Sequence, residues 1–258
     1  MMARLERMGY VRPKMRAQAP AASHDFSLFL DVDGTLVELA ETPAEVVVGA
    51  PLKALLAGVS RRLEGAVALV SGRSIETLDA LFEPLVFPAA GLHGVERRSA
   101  SGERRGANYR DSTLTPARLA LRAFVESHPG TLLEDKGRAL ALHFRLAPEF
   151  ETSARQAVSA LVRPLAPAYH VQEGKMVLEI KPHEFTKATA IEEFLKEAPF
   201  AGRTPVVVGD DLTDQSGFRL VEAVGGISIA VGHRVQGQWR LDNPAAVRHW
   251  LTSFAALT

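Results

Sequence analysis

The sequence predicts an α/β fold in which a parallel β-sheet is covered by helices on both faces and is interrupted by a smaller α+β insert. Two observations predict this organisation. Continuous apolar runs alternate with helical patterns in residues 26–108 and again in residues 182–258, and such runs are typical of parallel strands that are buried on both faces. Residues 109–181 instead repeat a helix–strand–strand order, which is typical of an antiparallel sheet with its helices on one face.

The first part of the larger unit begins with a strand, because residues 25–30 form a short apolar run. Leucine and valine residues then recur at helical spacing over residues 51–63, and this helix begins with a proline, which is tolerated there. Residues 66–70 form a second apolar run, and residues 75–81 again show helical spacing. The order strand, helix, strand, helix predicts neighbouring parallel strands.

The insert follows a polar, glycine-containing stretch at residues 99–108, which predicts a hairpin or a linker. Its predicted elements are a helix over 116–127, strands over 131–137 and 139–145 with a turn near Gly137, a helix over 149–165, and strands over 169–174 and 175–181. Beyond the insert the first pattern returns. The elements predicted there are a helix over 189–196, strands over 205–208 and 227–231, and a helix over 244–254.

Composition excludes several classes of protein. Lysine plus arginine equals aspartate plus glutamate, 30 each, so no overall positive field is available for nucleic acid. The absence of cysteine excludes disulfides and cysteine–metal sites. Residues 1–25 lack the apolar core of a secretory signal, and no apolar run approaches the length that spans a bilayer. We therefore expect a flexible N-terminal extension over residues 1–25 on a cytoplasmic monomer that acts on a small molecule, without a nucleic-acid or membrane partner.

Reactive side chains follow several of the predicted core strands. They are Asp31, Asp33, Ser71, Asp210 and Asp211, and Lys187 lies just before a helix of the same unit. Because ligands bind at the carboxyl ends of parallel strands, we expect these side chains to share one crevice. Carboxylates that meet in a crevice repel one another and take up protons unless a cation is bound. Oxygen ligands with few or no histidines favour Mg²⁺ over a transition metal.

This set of groups suits phosphoryl transfer. Asp31 has the chemistry to attack phosphorus and form an aspartyl-phosphate, and Asp33 has the chemistry to protonate the leaving oxygen and then activate water. Mg²⁺ and a lysine would offset charge on the phosphoryl oxygens. On the residues alone, other interpretations stay open: a Walker-B-like strand end for the aspartates, a plain helix cap for Ser71 and a solvated side chain for Lys187. The chain contains no GxxxxGK[ST] motif, which argues against a P-loop NTPase.

Four segments together resemble the haloacid dehalogenase superfamily of Mg²⁺-dependent phosphatases. They are DVDGT at 31–35, SGR at 71–73, Lys187, and GDDLTD at 209–214. The resemblance implies a Rossmann-like core formed by residues 26–108 and 182–258. Because the superfamily places a cap domain between the second and third motifs, it also implies that residues 109–181 form an α+β cap that selects the substrate.

The same resemblance implies roles for the motif residues. Asp31 would be the nucleophile, and Asp33 would be the acid/base and a metal ligand through its main-chain carbonyl. Ser71 and Lys187 would hold the phosphoryl group. The metal site would consist of Asp31, Asp33 and Asp210, supported by Asp211 and Asp214.

Narrower features resemble the trehalose-6-phosphate phosphatases. They are GLHGVE at 91–96, EDKG at 134–137, the His143-x-Arg145 strand, EGKxxxEIKP at 173–182 and GDDLTD. The resemblance implies hydrolysis of trehalose 6-phosphate to trehalose and phosphate, as a step of trehalose biosynthesis. It also implies substrate contacts, made by Gly72, Arg73, Glu134, Lys136, Arg145, Lys175 and Glu179. A sugar needs hydrogen-bond donors and acceptors for its hydroxyls, and this polar set supplies both.

Alternatives to this interpretation remain. The charged residues of the insert also fit an exposed sheet face with cross-strand ion pairs, and His93 fits a structural role or a wall of the crevice better than that of a ligand. The nearest alternative is a phosphatase for another sugar phosphate, such as sucrose 6-phosphate or mannosylglycerate 3-phosphate, and a non-catalytic sugar-phosphate-binding protein is a further alternative. Gln215 and Ala188 stand where the family usually has glutamate and glycine, and we expect these departures to modulate activity without abolishing it.

Overall fold

The computed structural model of the chain describes residues 19–40, 42–106, 112–183 and 185–257. These residues form two β-sheets, a larger one of eight strands and a smaller one of four. The strands of the larger sheet, in spatial order, are β12 (Trp239–Leu241), β11 (Ile227–Val231), β10 (Thr204–Gly209), β1 (Phe26–Leu30), β2 (Val67–Val70), β3 (Ala89–Gly91), β4 (Glu96–Arg98) and β5 (Arg104–Arg105). The strands of the smaller sheet are β6 (Leu132–Asp135), β7 (Leu140–His143), β9 (Val177–Pro182) and β8 (Tyr169–Gly174).

Helices connect these strands. Within the described ranges they are α1 (Ala50–Arg62), α2 (Ile75–Phe82), α3 (Thr115–Ser127), α4 (Glu151–Val162), α5 (Lys187–Phe194), α6 (Gln215–Ala223) and α7 (Pro244–Thr252). Helices α3 and α4 belong to the smaller sheet, and the others contribute buried side chains to the core of the larger sheet.

The larger sheet has its parallel strands in the middle. The six strands from β12 to β3 run parallel to their neighbours, whereas β4 and β5 turn back as an antiparallel hairpin. Strand β1 lies between β10 and β2, and all five of its residues are buried. Because successive residues of a strand point to opposite faces, complete burial of β1 means that both faces of the sheet are covered.

The smaller sheet is antiparallel throughout and has a core of its own. Leu140, Leu142, Leu178 and Ile180 point to the face that packs against α3 and α4. Alternate residues of the same strands point to the opposite face, which is polar. The division of the chain into a core and a cap with boundaries near residues 108 and 181 stays a prediction, and residues 107–111 lie outside the described ranges.

Some elements differ from those predicted. Helix α6 and strands β3 and β12 were not predicted, because the strands are only three residues long and α6 follows directly on a polar motif. Helix α5 begins at Lys187, two residues before the predicted helix over 189–196. The reason is a cap: the Thr186 hydroxyl accepts a hydrogen bond from the Thr189 N–H at 3.1 Å.

Residues 1–18 of the predicted N-terminal extension lie outside the described residues. The carbonyl of Pro20 accepts a hydrogen bond from the Trp250 indole at 2.8 Å, and Ala19 and Ala22 pack against the larger core. Among the helices of the described ranges, none combines the length and the apolar character needed to cross a bilayer.

Candidate active site

A buried lysine joins two aspartates at the carboxyl ends of the central strands. Nζ of Lys187 lies 2.7 Å from Oδ1 of Asp31 and 2.6 Å from Oδ1 of Asp214, and all three side chains are buried. Asp31 directly follows β1, and its N–H donates to the carbonyl of Val208 on β10 at 3.0 Å. Pairing of β1 with β10 therefore brings together residues that are far apart in the sequence.

Glycines allow a fourth group, Asp210, to approach this cluster closely. Gly34 has a positive φ of 78°, and a Cβ at this position would overlap the carboxylate of Asp210. A Cβ at Gly209 would likewise overlap the carboxylate of Asp214. The Thr35 hydroxyl lies 3.5 Å from Oδ2 of Asp31 and 3.4 Å from Oδ1 of Asp210. The glycines of DVDGT and GDDLTD are thus needed for the close approach of the carboxylates.

Negative charge exceeds positive charge in this cluster. One oxygen each of Asp31, Asp210 and Asp214 lie within 4.8 Å of one another, and a single lysine faces them. Burial is the main reason why the pKa of Asp31 is raised well above its usual range and that of Asp210 is raised to about 6. Although burial opposes it, Asp214 and Asp31 raise the pKa of Lys187, so the lysine stays charged. Hard oxygen donors with uncompensated charge fit a divalent cation such as Mg²⁺.

Asp33 lies beside this cluster and is paired with an arginine. Nε of Arg73 donates to one oxygen of Asp33 at 2.7 Å, and Nη2 donates to the other at 2.8 Å. The Arg73 N–H also donates to the hydroxyl of Ser71 at 3.1 Å. The structure therefore places the predicted acid/base against the predicted phosphate-binding turn, and ligation of a metal by the Asp33 carbonyl stays a prediction.

Asp211 lies outside this group of three carboxylates and contacts its own turn and an arginine. Its Oδ1 accepts from the Leu212 N–H at 2.7 Å and lies 2.8 Å from Nη1 of Arg234. The structure thus brings three of the five predicted metal residues together, while the carboxylates of Asp33 and Asp211 bind arginines.

The polar face of the smaller sheet carries most of the predicted sugar contacts. Glu134, Ala141, Glu179 and Gln172 lie in register across its four strands. Nζ of Lys136 donates to Oε1 of Glu179 at 3.0 Å. Glu179 is 5 % exposed, so an exposed sheet face does not describe this residue.

Two contacts join this face to the larger sheet. Nζ of Lys136 also donates to the carbonyl of Gly72 at 2.8 Å. Nε2 of His93 lies 2.9 Å from the second carboxylate oxygen of Glu179. Although burial opposes it, Lys136 and His93 lower the pKa of Glu179, whereas burial lowers the pKa of His93 to about 4. Glu179 is therefore ionised and His93 is neutral at neutral pH.

The remaining predicted sugar residues lie at the edge of the same face. Glu134 accepts a hydrogen bond from Nε2 of His143 at 3.1 Å. Arg145 donates to the carbonyl of Ala40, in the loop after β1, and to the carbonyl of Lys175 at 3.3 Å. The side chain of Lys175 is exposed, so it is available to a ligand.

One cleft collects these groups. It is lined from both sheets, and every predicted site residue except the buried Glu179 and Asp214 contributes to its wall. Sequence reasoning missed the contacts of Thr35 and the presence of Arg234. Arg234 follows β11, whose carboxyl end lies at the same sheet edge as that of β10, so strand order was the signal that would have found it.

The sequence of the chain matches the trehalose-phosphatase family over residues 29–249. The chain belongs to this family. It is 41 % identical over 235 residues to a trehalose-6-phosphate phosphatase of Escherichia coli strain K12, which covers 91 % of this chain and 88 % of that protein. It is 44 % identical over 209 residues to a probable trehalose-phosphate phosphatase of Sinorhizobium fredii, which covers 81 % of this chain and 78 % of that protein.

A solved structure of a trehalose-6-phosphate phosphatase related protein superposes on this chain with a TM-score of 0.74. The two sequences are 25 % identical, and the superposition covers 89 % of this chain and 96 % of that chain. The predicted fold class, a Rossmann-like haloacid dehalogenase core with a smaller α+β unit, is confirmed by this likeness. The predicted membership of the trehalose-phosphatase family is confirmed as well.

Proposed function

We propose that this protein is a Mg²⁺-dependent phosphatase that hydrolyses trehalose 6-phosphate to trehalose and phosphate in trehalose biosynthesis. The observation that carries the proposal is one shared cleft. A buried carboxylate–lysine cluster for phosphoryl transfer lies on one side of it, and a polar sheet face suited to sugar hydroxyls lies on the other. Family membership supports the choice of substrate.

Asp31, Asp210 and Asp214 would hold the metal ion, because their oxygens are close together and carry more charge than Lys187 neutralises. When bound, Mg²⁺ supplies positive charge that keeps Asp31 ionised and offsets the charge of the phosphoryl oxygens. The chain's own positive group at this point is Lys187, which is held between Asp31 and Asp214. Asp211 would support the metal site indirectly, because its side chain caps the turn that contains Asp214.

In the first step, a carboxylate oxygen of Asp31 attacks phosphorus while the bond from phosphorus to the sugar oxygen breaks. The sugar oxygen takes a proton from Asp33, and trehalose leaves an aspartyl-phosphate on Asp31. Both oxygens of Asp33 accept from Arg73 in the structure. Before this step Asp33 must therefore take up a proton and turn away from Arg73, which leaves Arg73, with Ser71 and Gly72, to contact the phosphoryl group.

In the second step, Asp33 takes a proton from a water molecule that attacks the same phosphorus atom. The bond between phosphorus and Asp31 breaks, inorganic phosphate leaves, and both aspartates return to their starting states. Water must be kept out until trehalose has been formed, and closure of the smaller sheet over the cleft provides this exclusion.

The smaller sheet would select the disaccharide. Glu134 and Glu179 accept hydrogen bonds from hydroxyls, and Lys136, Lys175 and Arg145 donate them. A small ester such as p-nitrophenyl phosphate reaches the carboxylate cluster but cannot contact this face. Its turnover is therefore expected to be slow, because binding energy from the remote sugar is not available to it.

Phosphate release from trehalose 6-phosphate, sucrose 6-phosphate, mannosylglycerate 3-phosphate and p-nitrophenyl phosphate tests the proposal, with and without Mg²⁺. We expect trehalose 6-phosphate to give the highest kcat/KM and EDTA to abolish release. A higher kcat/KM for another sugar phosphate would contradict the substrate assignment. Binding of trehalose 6-phosphate without phosphate release would contradict the enzymatic function.

A further inference from the structure

The loop over residues 91–94, between β3 and β4, connects the two sides of the cleft. Within it, the N–H of Leu92 donates to the carbonyl of Arg73 at 2.9 Å, and the N–H of His93 donates to the carbonyl of Ser71 at 2.9 Å. The His93 ring contacts Glu179 on the smaller sheet at 2.9 Å. The backbone of this loop is thus attached to the phosphate-binding turn, while its side chain reaches a predicted sugar residue.

The loop is tightly packed and has an unusual backbone. Leu92 and His93 have φ values of 50° and 56°, in the left-handed region that side chains other than glycine seldom adopt. A Cβ at Gly91 would lie 2.8 Å from the carbonyl oxygen of Arg73, and a Cβ at Gly94 would lie 2.5 Å from that of Thr186. The glycines therefore allow the loop to fit between the phosphate-binding turn and the start of α5. Strained backbone of this kind concentrates at functional sites.

The His93 ring takes part in a closed set of contacts across the cleft. A Cβ at Gly72 would lie 2.7 Å from Nε2 of His93, so the ring packs directly over this glycine. Lys136 bonds both to the carbonyl of Gly72 and to Glu179. An ionised carboxylate only accepts hydrogen bonds, so Nε2 of the neutral ring carries the proton and donates it to Glu179. The contacts therefore form a ring of four residues, in which each residue contacts two others: Gly72, His93, Glu179 and Lys136.

We propose that His93 is a positioning residue for the sugar, an inference that rests on the proposed function. By holding Glu179 at a set distance from the turn formed by Ser71 and Gly72, it fixes the spacing between the phosphate site and the sugar site. A phosphate ester whose sugar spans this spacing is favoured over a small ester. His93 acts through Glu179 and takes no part in the bond changes at phosphorus.

Two substitutions distinguish the contribution of the His93 ring from that of the loop backbone. His93→Asn keeps a residue that tolerates the left-handed conformation, but its side chain is too short to reach Glu179. His93→Gln is longer and retains an N–H donor. We expect His93→Asn to lower kcat/KM for trehalose 6-phosphate by about 10- to 100-fold, chiefly through KM, and to lower that for p-nitrophenyl phosphate by less than about threefold. His93→Gln should recover most of the loss.

A double-mutant cycle with Glu179→Ala tests the route of the effect. In the Glu179→Ala background, His93→Asn should change kcat/KM for the disaccharide by less than about threefold, because the group it positions is already absent. Equal losses on both substrates, or additive losses in the cycle, would overturn the inference. If wild type prefers another sugar phosphate in the substrate panel, the proposed function fails, and the same cycle measured with that ester decides the role of His93 separately.

A spectroscopic measurement covers the case in which the variants do not fold. The ¹⁵N shifts of the imidazole of His93 in wild type should show a neutral ring that is protonated on Nε2 at neutral pH. A ring with Nδ1 protonated instead would overturn the inference, because such a ring cannot donate from Nε2 to Glu179.

Discussion

Two clusters of buried charge face the cleft, and their charges are balanced in different ways. Around Lys187, three carboxylates face one lysine, and burial raises the pKa values of all three. Around Glu179, the carboxylates of Glu134 and Glu179 form ion pairs with Lys136, and Lys181 adds a second positive charge nearby. The pKa values of both carboxylates are lowered although burial opposes this.

The two clusters therefore differ in net charge when no ligand is bound. The carboxylate cluster has excess negative charge that protons or a bound cation must offset, since like charges in a low-dielectric site cannot all stay ionised. The cluster around Glu179 is already neutral overall and holds its side chains in place without a ligand. Under the proposed function, the first region would receive the charge of the metal ion and of the phosphate, and the second would receive uncharged hydroxyls.

The largest expected effect comes from Asp31→Asn, which removes the proposed nucleophile. We expect phosphate release to fall by at least about 10⁴-fold, as is typical when a nucleophile is lost. The metal-free melting temperature should not fall, because the substitution removes one of three mutually repelling carboxylates. Residual activity above about 1 % of wild type would contradict the role of Asp31, and an unchanged melting temperature is the control for folding.

Asp210→Asn and Asp33→Asn test whether the unbalanced charge binds the metal. Mg²⁺ at about 100 times its Kd should stabilise wild type by about 2.7 kcal/mol. This stabilisation should be lost in Asp210→Asn and retained in Asp33→Asn, whose carboxylate binds Arg73. Both variants should lose at least about 100-fold in kcat. Thermal unfolding with and without Mg²⁺ measures the effect, and equal Mg²⁺ shifts in all three proteins would argue against the proposed ligands.

Lys136→Met and Lys175→Met test the cluster around Glu179 with two lysines of different exposure: the Lys136 side chain is only 10 % exposed, whereas Lys175 is exposed. Each removes a charged donor to the sugar, so kcat/KM for trehalose 6-phosphate should fall by about 10- to 100-fold in both. Only Lys136→Met removes the charged partner of Glu179 and leaves the neutral His93 ring as its contact, and breaking such a buried ion pair costs about 3–5 kcal/mol. Chemical denaturation of both variants should therefore show a large loss of stability in Lys136→Met alone. Equal stability of the two would mean that Lys136 is not part of a fixed cluster.

The smallest effect concerns Lys181, which is 1 % exposed and whose pKa is lowered by burial to about 8. Between about pH 8 and its unfolded pKa of 10.5, the native protein binds fewer protons at Lys181 than the unfolded chain does. The free energy of unfolding contributed by Lys181 therefore rises as the pH increases through this window.

Lys181→Met removes this contribution. At about pH 7 the variant should be more stable than wild type by roughly 3 kcal/mol, and the difference should shrink towards zero near pH 10.5. Urea unfolding of both proteins across this range measures it. A difference that does not depend on pH would show that burial of the charge is not its cause.

Much of the core and of its chemistry was predictable from the sequence. The apolar runs before Asp31 and Asp210 predicted two parallel strands, and the structure pairs them as β1 and β10. The polar ends of these strands then predicted a shared crevice, because neighbouring parallel strands end at the same edge. Short elements such as β3 and β12 were not predictable, since three residues show no periodicity.

The contacts of individual side chains were harder to predict from the sequence. Asp33 and Asp211 read like the other acidic residues of their motifs, and only the structure shows that their carboxylates bind Arg73 and Arg234. His93 fitted a structural role or a wall of the crevice, because its spacing in GLHG says nothing about Glu179, which is 86 positions away in the chain.

The sequence by itself determined which residues can do chemistry and at which strand ends they lie, because periodicity and motif spacing are local properties of the chain. Only the tertiary structure decided the charge balance of each cluster and the contact of His93 and Lys136 across the cleft. Those properties depend on burial and on distances between remote segments, and no local pattern encodes them.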